Sequence, residues 1–191
     1  MSASVDLSGH FLMAMPGMVE GDLAGTVIYV CEHSDRGALG LVINRPIELN
    51  LAGLLEKADL AGDDEAAHDG AQAVPVYYGG PVQTDRGFVL HKPVGDYTSS
   101  IALGQTLALT TSRDVLQAVA SGQGPESIFV TLGYAGWGAG QLEQELAQNA
   151  WLSVPADESI IFETAAESRY PAAMQLLGID PARLAGSAGH A

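Results

Sequence analysis

Apolar residues in this chain come mostly in short unbroken runs rich in Val, Ile and Tyr, each cut off by Gly, Pro or Asp. Runs of that length and composition predict strands over His10 to Met15, Thr26 to Glu32, Ala38 to Asn44, Val74 to Tyr78, Gly87 to Lys92, Ser127 to Tyr134 and Ser159 to Glu163. A further strand is predicted in Ser100 to Leu107. Where apolar positions recur at three and four, the pattern predicts helices: Leu51 to Ala58, Arg113 to Ser121, Gln141 to Asn149 and Pro171 to Leu177. Ser112 suits the N-cap of the second, Pro171 the first turn of the last, and Gly178 its end. The order opens with three strands and does not alternate strand with helix. That argues against a doubly wound parallel sheet and for an α+β fold with hairpins.

Two stretches break the pattern. Residues 61–73, AGDDEAAHDGAQA, are acidic, small and without periodicity, and predict a mobile surface loop inside the domain. The tail at 181–191, PARLAGSAGHA, is expected to be weakly ordered. The whole length, 191 residues, fits one domain with one substantial core.

Composition narrows the setting. With a single cysteine, Cys31, no intrachain disulfide can form, and the start of the chain lacks the features of a secretory signal, so a cytoplasmic location is expected. No apolar run approaches the roughly 20 residues that span a bilayer. A net charge of −15, with only two lysines and six arginines, opposes attraction to phosphate backbones and disfavours direct nucleic-acid binding. The partner class left open is a protein or a small molecule. Oligomeric state is not set by the sequence, although glycine-rich edges permit self-association.

Candidate chemistry is sparse. Ser34-Asp35-Arg36-Gly37 recurs as Thr84-Asp85-Arg86-Gly87, each placed between predicted strands as turn punctuation. If Arg36 and Arg86 met at one rim of the sheet, their guanidinium groups could receive a carboxylate or phosphate. Tyr78-Gly79-Gly80 follows a strand, and bare backbone amides there could cradle an anion or admit a close chain crossing. Cys31 and His33 lie two apart on a predicted strand, sharing a face about 6.5 Å apart, too far for direct proton transfer. His10, His33 and His91 lie at strand ends but lack close ligand spacing, so no metal site is predicted. The segment Ile128 to Leu146 imitates strand, glycine loop and helix of a dinucleotide site, yet its glycines miss GxGxxG and Trp137 occupies the loop. Trp137 is instead expected to anchor the core or an interface. Glu143 and Glu145, two apart on a helix, should diverge. No phosphate loop, serine nucleophile elbow, HExxH or paired-cysteine zinc spacing is present in the sequence, which points to no cofactor and no catalytic residue. The candidate ligand-binding residues are therefore His33, Arg36, Tyr78, Gly79, Gly80, Arg86 and His91, with Trp137 as an interaction residue.

Taken together, HFLMAMPGM, VIYVCEHSDRGALGLVINRP, YYGGPVQTDRGFVLH and LGYAGWGAGQLEQELAQNAWL resemble the bacterial YqgE/AlgH family, in family order and across nearly the whole chain. The resemblance implies one YqgE/AlgH-like domain over 1–191: a small closed or bifurcated β-barrel-like sheet with hairpins, surrounded by helices, in a cytosolic bacterial protein. It implies no catalytic mechanism. Some members carry the label of transcriptional regulator through a link to alginate production, a role that the acidic charge and the absence of a helix-turn-helix make indirect here. The function expected is a non-enzymatic regulatory or binding protein acting through protein or small-ligand contacts, with an enzyme or anion-binding module of unknown chemistry as one alternative and a transcriptional regulator, as some family members are labelled, as another.

Overall fold

The computed structural model describes residues 6–178. Its strands are β1 (His10–Ala14), β2 (Val27–Ser34), β3 (Gly37–Val42), β4 (Pro46–Asn50), β5 (Pro75–Tyr78), β6 (Val82–Lys92), β7 (Ser100–Leu103), β8 (Leu107–Thr110), β9 (Ser127–Gly138) and β10 (Trp151–Pro155). Its helices are α1 (Leu51–Lys57), α2 (Glu65–Gln72), α3 (Asp114–Ala120), α4 (Gln141–Ala147), α5 (Glu158–Phe162) and α6 (Ala166–Leu176).

The main path of the sheet runs β10-β1-β2-β3-β9-β6-β8-β7, antiparallel throughout, and curls into a half-barrel. It forks at β9. The C-terminal part of β9 pairs with β3, its N-terminal part pairs with β6, and β5 lies parallel to it at Val130–Leu132 with β4 beyond. The fork is held open by Gly79, whose carbonyl accepts from the Val42 amide (2.8 Å) while its amide donates to Leu132 (2.9 Å). One residue thus bridges β3 and β9 where they part.

Both faces of this sheet are covered, which explains why its strands read as unbroken apolar runs. Alternate residues of the same strand go to different layers. Phe11, Met13, Tyr29, Leu41, Phe88, Leu90 and Phe129 face the concave side, where α5 and α6 close the half-barrel with Ile160, Ile161, Ala173 and Met174. Leu12, Ile28, Val30 and Val42 face outward against Leu142 of α4. Val76, Val89 and Val130 face outward against α1, α2 and α3. Each such large side chain stabilises the fold by about 1.5–3 kcal/mol on burial.

Several expectations are corrected. Residues 61–73 are not an aperiodic loop: Asp64 accepts from the Ala67 amide (3.0 Å) and starts α2, whose Ala71 is buried against α1 and α3. Ser159 to Glu163 is not a strand. Asp157 caps it as α5 through the amide and hydroxyl of Ser159, and both Ile160 and Ile161 reach the inner core. The last helix starts at Ala166, five residues before its expected start, so Pro171 lies inside it, whereas Gly178 follows its end as expected. Ser112 does not cap α3; its hydroxyl donates to Asp114. Ser100 to Leu107 is not one strand: it holds β7 and the first residue of β8, which runs on to Thr110 to complete a hairpin, and β4 and β10 have no counterpart among the predicted elements. The glycine-rich stretch to Gly138 is not a loop but the far half of β9. The tail at 181–191 lies outside the described residues.

Candidate functional site

The two Asp-Arg-Gly segments have different structural fates. Ser34 pairs with Gly37, so Asp35-Arg36 is the two-residue turn of the β2–β3 hairpin. Thr84-Asp85-Arg86 instead lies inside β6, in a bulge between Val82, opposite Tyr134, and Gly87, opposite Leu132. Arg36 lines an open groove of about 510 Å³ with Glu32 and Tyr134. Arg86 is not among the residues lining that groove; its guanidinium lies 5.7 Å over the Phe88 ring.

His33 serves the fold. Register shifts between Val30 and Glu32, making Cys31 an extra residue in β2. The bulge changes the phase of the strand, so Cys31 sits in the inner core while His33 turns to the α4 side. The expectation that the two share a face is thereby corrected. His33 Nδ1 accepts from the Leu7 amide (3.0 Å), which leaves the proton on Nε2, 3.1 Å from Glu143 Oε1. That hydrogen bond is the main cause holding the Glu143 carboxyl below its usual range. The buried Cys31 thiol is pushed far up by desolvation.

Glu145 points away from Glu143, as expected for residues two apart. Its Oε1 accepts from the indole of Trp137 (3.2 Å) and of Trp151 (2.9 Å), whose rings meet edge to face at 6.0 Å. Trp137 is 6% exposed and ties α4 to β9 and β10. Tyr78 has a buried hydroxyl with no partner among the described residues, and burial raises its pKa. Gly79 and Gly80 are packed so closely on β9 that an added Cβ would collide with Gly133 O and Thr131 Oγ1 in one case and the Tyr134 backbone in the other. The pair functions as a chain crossing.

His91 is fully buried on the outer face. Nδ1 lies 3.0 Å from the Pro93 carbonyl, which can only accept, so Nδ1 carries the proton and Nε2 accepts from the Thr110 hydroxyl at 2.6 Å. Burial lowers its pKa, only partly offset by the Pro93 bond. His10, His33 and His91 are not gathered, and among the described residues no three metal-ligating side chains cluster.

What the structure does gather is positive charge. Lys57 at the end of α1 and Arg113 ahead of α3 line one concavity of about 490 Å³ with Asp85 and the Arg86–Gly87 stretch of the β6 bulge, whereas the Arg86 guanidinium lies on the side of Phe88, which faces the concave core. Two of the chain's eight lysines and arginines thus meet at one concavity in a molecule of net charge −15. Arg113 donates to the Ala58 carbonyl beyond α1, Arg86 donates to Gln83 Oε1 (3.3 Å) and lies 5.7 Å over the Phe88 ring, and Lys57 makes no ion pair among the described residues. Ser112 and Thr98 hold the nearby Asp114, whose carboxyl is lowered chiefly by the Ser112 hydroxyl. Leu54, Leu60, Leu116 and Leu132 form an apolar wall. Of Lys57, Arg86 and Arg113, only Arg86 stood out in the sequence. Lys57 and Arg113 are 56 positions apart on separate helices, and no local spacing signals their meeting.

Comparison with known proteins places this architecture. The AlgH-like family (DUF179) matches residues 11–182. A UPF0301 protein of Bordetella avium is 69% identical over 97% of this chain and 92% of its own length, and one of Ralstonia nicotianae is 57% identical over 99% and 97%. The solution structure of the AlgH protein from Pseudomonas aeruginosa is 50% identical, with a TM-score of 0.80 over 97% of this chain and 96% of that one. A crystal structure of a Corynebacterium diphtheriae protein shares the fold at 19% identity, with a TM-score of 0.68 over 92% of this chain and 89% of that one. The sequence match, the curated relatives and the shared half-barrel agree: the chain belongs to the AlgH-like family.

Proposed function

We propose that this chain is a non-enzymatic binding protein of regulatory character that receives a small anionic ligand in the concavity between α1, α3 and the β6 bulge. The observation that carries the reading is the meeting of Lys57 and Arg113 beside an apolar wall, in a chain whose overall charge repels anions. A pocket of that size and mixed lining suits a small molecule. The groups a catalytic reading would use are committed elsewhere: Cys31 is buried as a thiol, His33 is engaged by Leu7 and Glu143, and His91 is buried against Thr110. A cytoplasmic setting belongs to the same proposal, since its one cysteine is a free thiol. Direct nucleic-acid contact does not, because two cations cannot offset the remaining charge over a duplex-sized face.

A thermal-shift panel of anions tests this. A ligand at about 100 times its Kd stabilises by about 2.7 kcal/mol, which raises Tm by several degrees. The rise should be lost in Lys57→Gln. Flat responses to phosphate monoesters, pyrophosphate and carboxylates alike would overturn the reading.

A further inference from the structure

The concave side of the half-barrel is not filled everywhere. Between the inner faces of β2 and β7 lies a slot of about 380 Å³. Thr106, in the turn between β7 and β8, donates to Glu158 Oε1 (2.9 Å) and so pins that hairpin to the start of α5. Ile101 and Leu103 of β7 pair with Leu109 and Leu107 of the inner core, so their side chains face the same concave side and form one wall. Tyr29 and Cys31 of β2 form the other. The slot shares no residue with the concavity of Lys57 and Arg113, so it stands or falls apart from the anion-binding reading.

Its shape and chemistry narrow what fits. Tyr29 and Cys31 are only 5% and 3% exposed, which leaves an opening too narrow for an α-helix of about 10 Å diameter and suited to a small molecule. No lysine, arginine or histidine lines the slot, whereas the exposed Glu32 adds a carboxylate. An anion there would meet a like charge and no counter-ion. Two donors are on offer instead. The Tyr29 hydroxyl makes no hydrogen bond among the described residues, and the Cys31 thiol has one long contact, 3.9 Å, to the Tyr29 carbonyl. Burial pushes the pKa of both groups far up and keeps them protonated. Ile101 is apolar yet 43% exposed, a surface that an apolar ligand would cover.

We infer that the slot between β2 and β7 binds a small uncharged molecule with a compact apolar body and one hydrogen-bond acceptor, the body lying between Ile101, Leu103 and Cys31 and the acceptor receiving the Tyr29 hydroxyl.

The test is calorimetric titration of the full chain with two probes of one shape, neutral 2-acetylnaphthalene and anionic 2-naphthoate. Both are titrated on wild type, Tyr29→Phe, Leu103→Trp and Ile101→Glu, with each variant's Tm recorded. The ketone is expected to bind saturably, whereas 2-naphthoate should show no binding that Leu103→Trp removes, because the slot offers a carboxylate no cation. Tyr29→Phe should weaken the ketone about five-fold by removing one hydrogen bond. Leu103→Trp, which fills the slot, should weaken it about ten-fold or more, and Ile101→Glu, at an exposed position, should also weaken it if the tryptophan variant fails to fold. Naphthoate binding as tightly as the ketone and lost in Leu103→Trp would overturn the assignment to an uncharged ligand. Unchanged ketone affinity in Tyr29→Phe would overturn the role of the hydroxyl. Sedimentation equilibrium tests the rival occupant: a wild-type dimer that Ile101→Glu dissociates would give the slot to a second copy of the chain and overturn the ligand. No saturable ketone binding, or affinity untouched in every folded variant, would overturn the inference outright.

Discussion

At the scale of single residues, the side chains with the most conspicuous chemistry in the sequence prove to be tied into the fold. Glu145 shows how: one carboxylate oxygen serves two indole N–H groups, so its loss strands both donors in a buried place. Glu145→Ala is expected to cost about 2–4 kcal/mol in a denaturant titration followed by tryptophan fluorescence; a change under about 0.5 kcal/mol would show the clamp to be idle. His91 makes stability depend on pH. Its folded pKa lies below the ordinary 6.5, so the unfolded chain takes up the proton first as pH falls. Its contribution is whole above about 6.5 and is lost as pH drops from there toward the folded value. Urea unfolding between about pH 5 and 8 should show a shallower acid slope in His91→Gln than in wild type, and identical slopes would refute the assignment. The sequence singled out His33, His91 and Trp137 by residue type, but it could not tell a ligand from a structural partner. Leu7 and Glu143 lie 26 and 110 positions from His33, and only the folded chain brings them to its ring.

At the scale of elements, the sheet was legible where burial on both faces produced unbroken apolar runs, and less so where local chemistry and tertiary packing disagreed. Ile160 and Ile161 read as a strand because β-branched pairs favour one, yet the Asp157 cap and the concave core made them a helix. The glycines of 61–73 masked α2, whose evidence lay in Asp64 as a cap and alanines inside. The Cys31 bulge left no trace in the alternation and moved His33 to the other face. The Gly79–Gly80 crossing carries the fork, and there a side chain has nowhere to go: Gly79→Ala drives Cβ into Gly133 O, and Gly80, at φ 152°, lies against the Tyr134 backbone. Either alanine substitution is expected to destabilise by about 3 kcal/mol or more, or to prevent folding, as read from Tm and soluble yield. Wild-type Tm in both would contradict the crossing's role.

At the scale of the whole molecule, charge is what sets one place apart. A chain of net −15 with eight lysines and arginines puts Lys57 and Arg113 around one hollow, while Arg36, the residue that sequence symmetry paired with Arg86, lines another with Glu32. The echo of two Asp-Arg-Gly segments was visible in the sequence; that one is a hairpin turn and the other a bulge was not, because strand register decides it. The measurement that tests the account most directly is amide NMR mapping of phenyl phosphate binding to the full chain. Saturable shifts are predicted at Lys57, Gly87, Thr111 and Ser112, weakening as salt screens the cations, with the turn at Asp35-Arg36 unmoved. Shifts centred on the Arg36 groove, or no saturable shifts around Lys57 and Arg113, would contradict it.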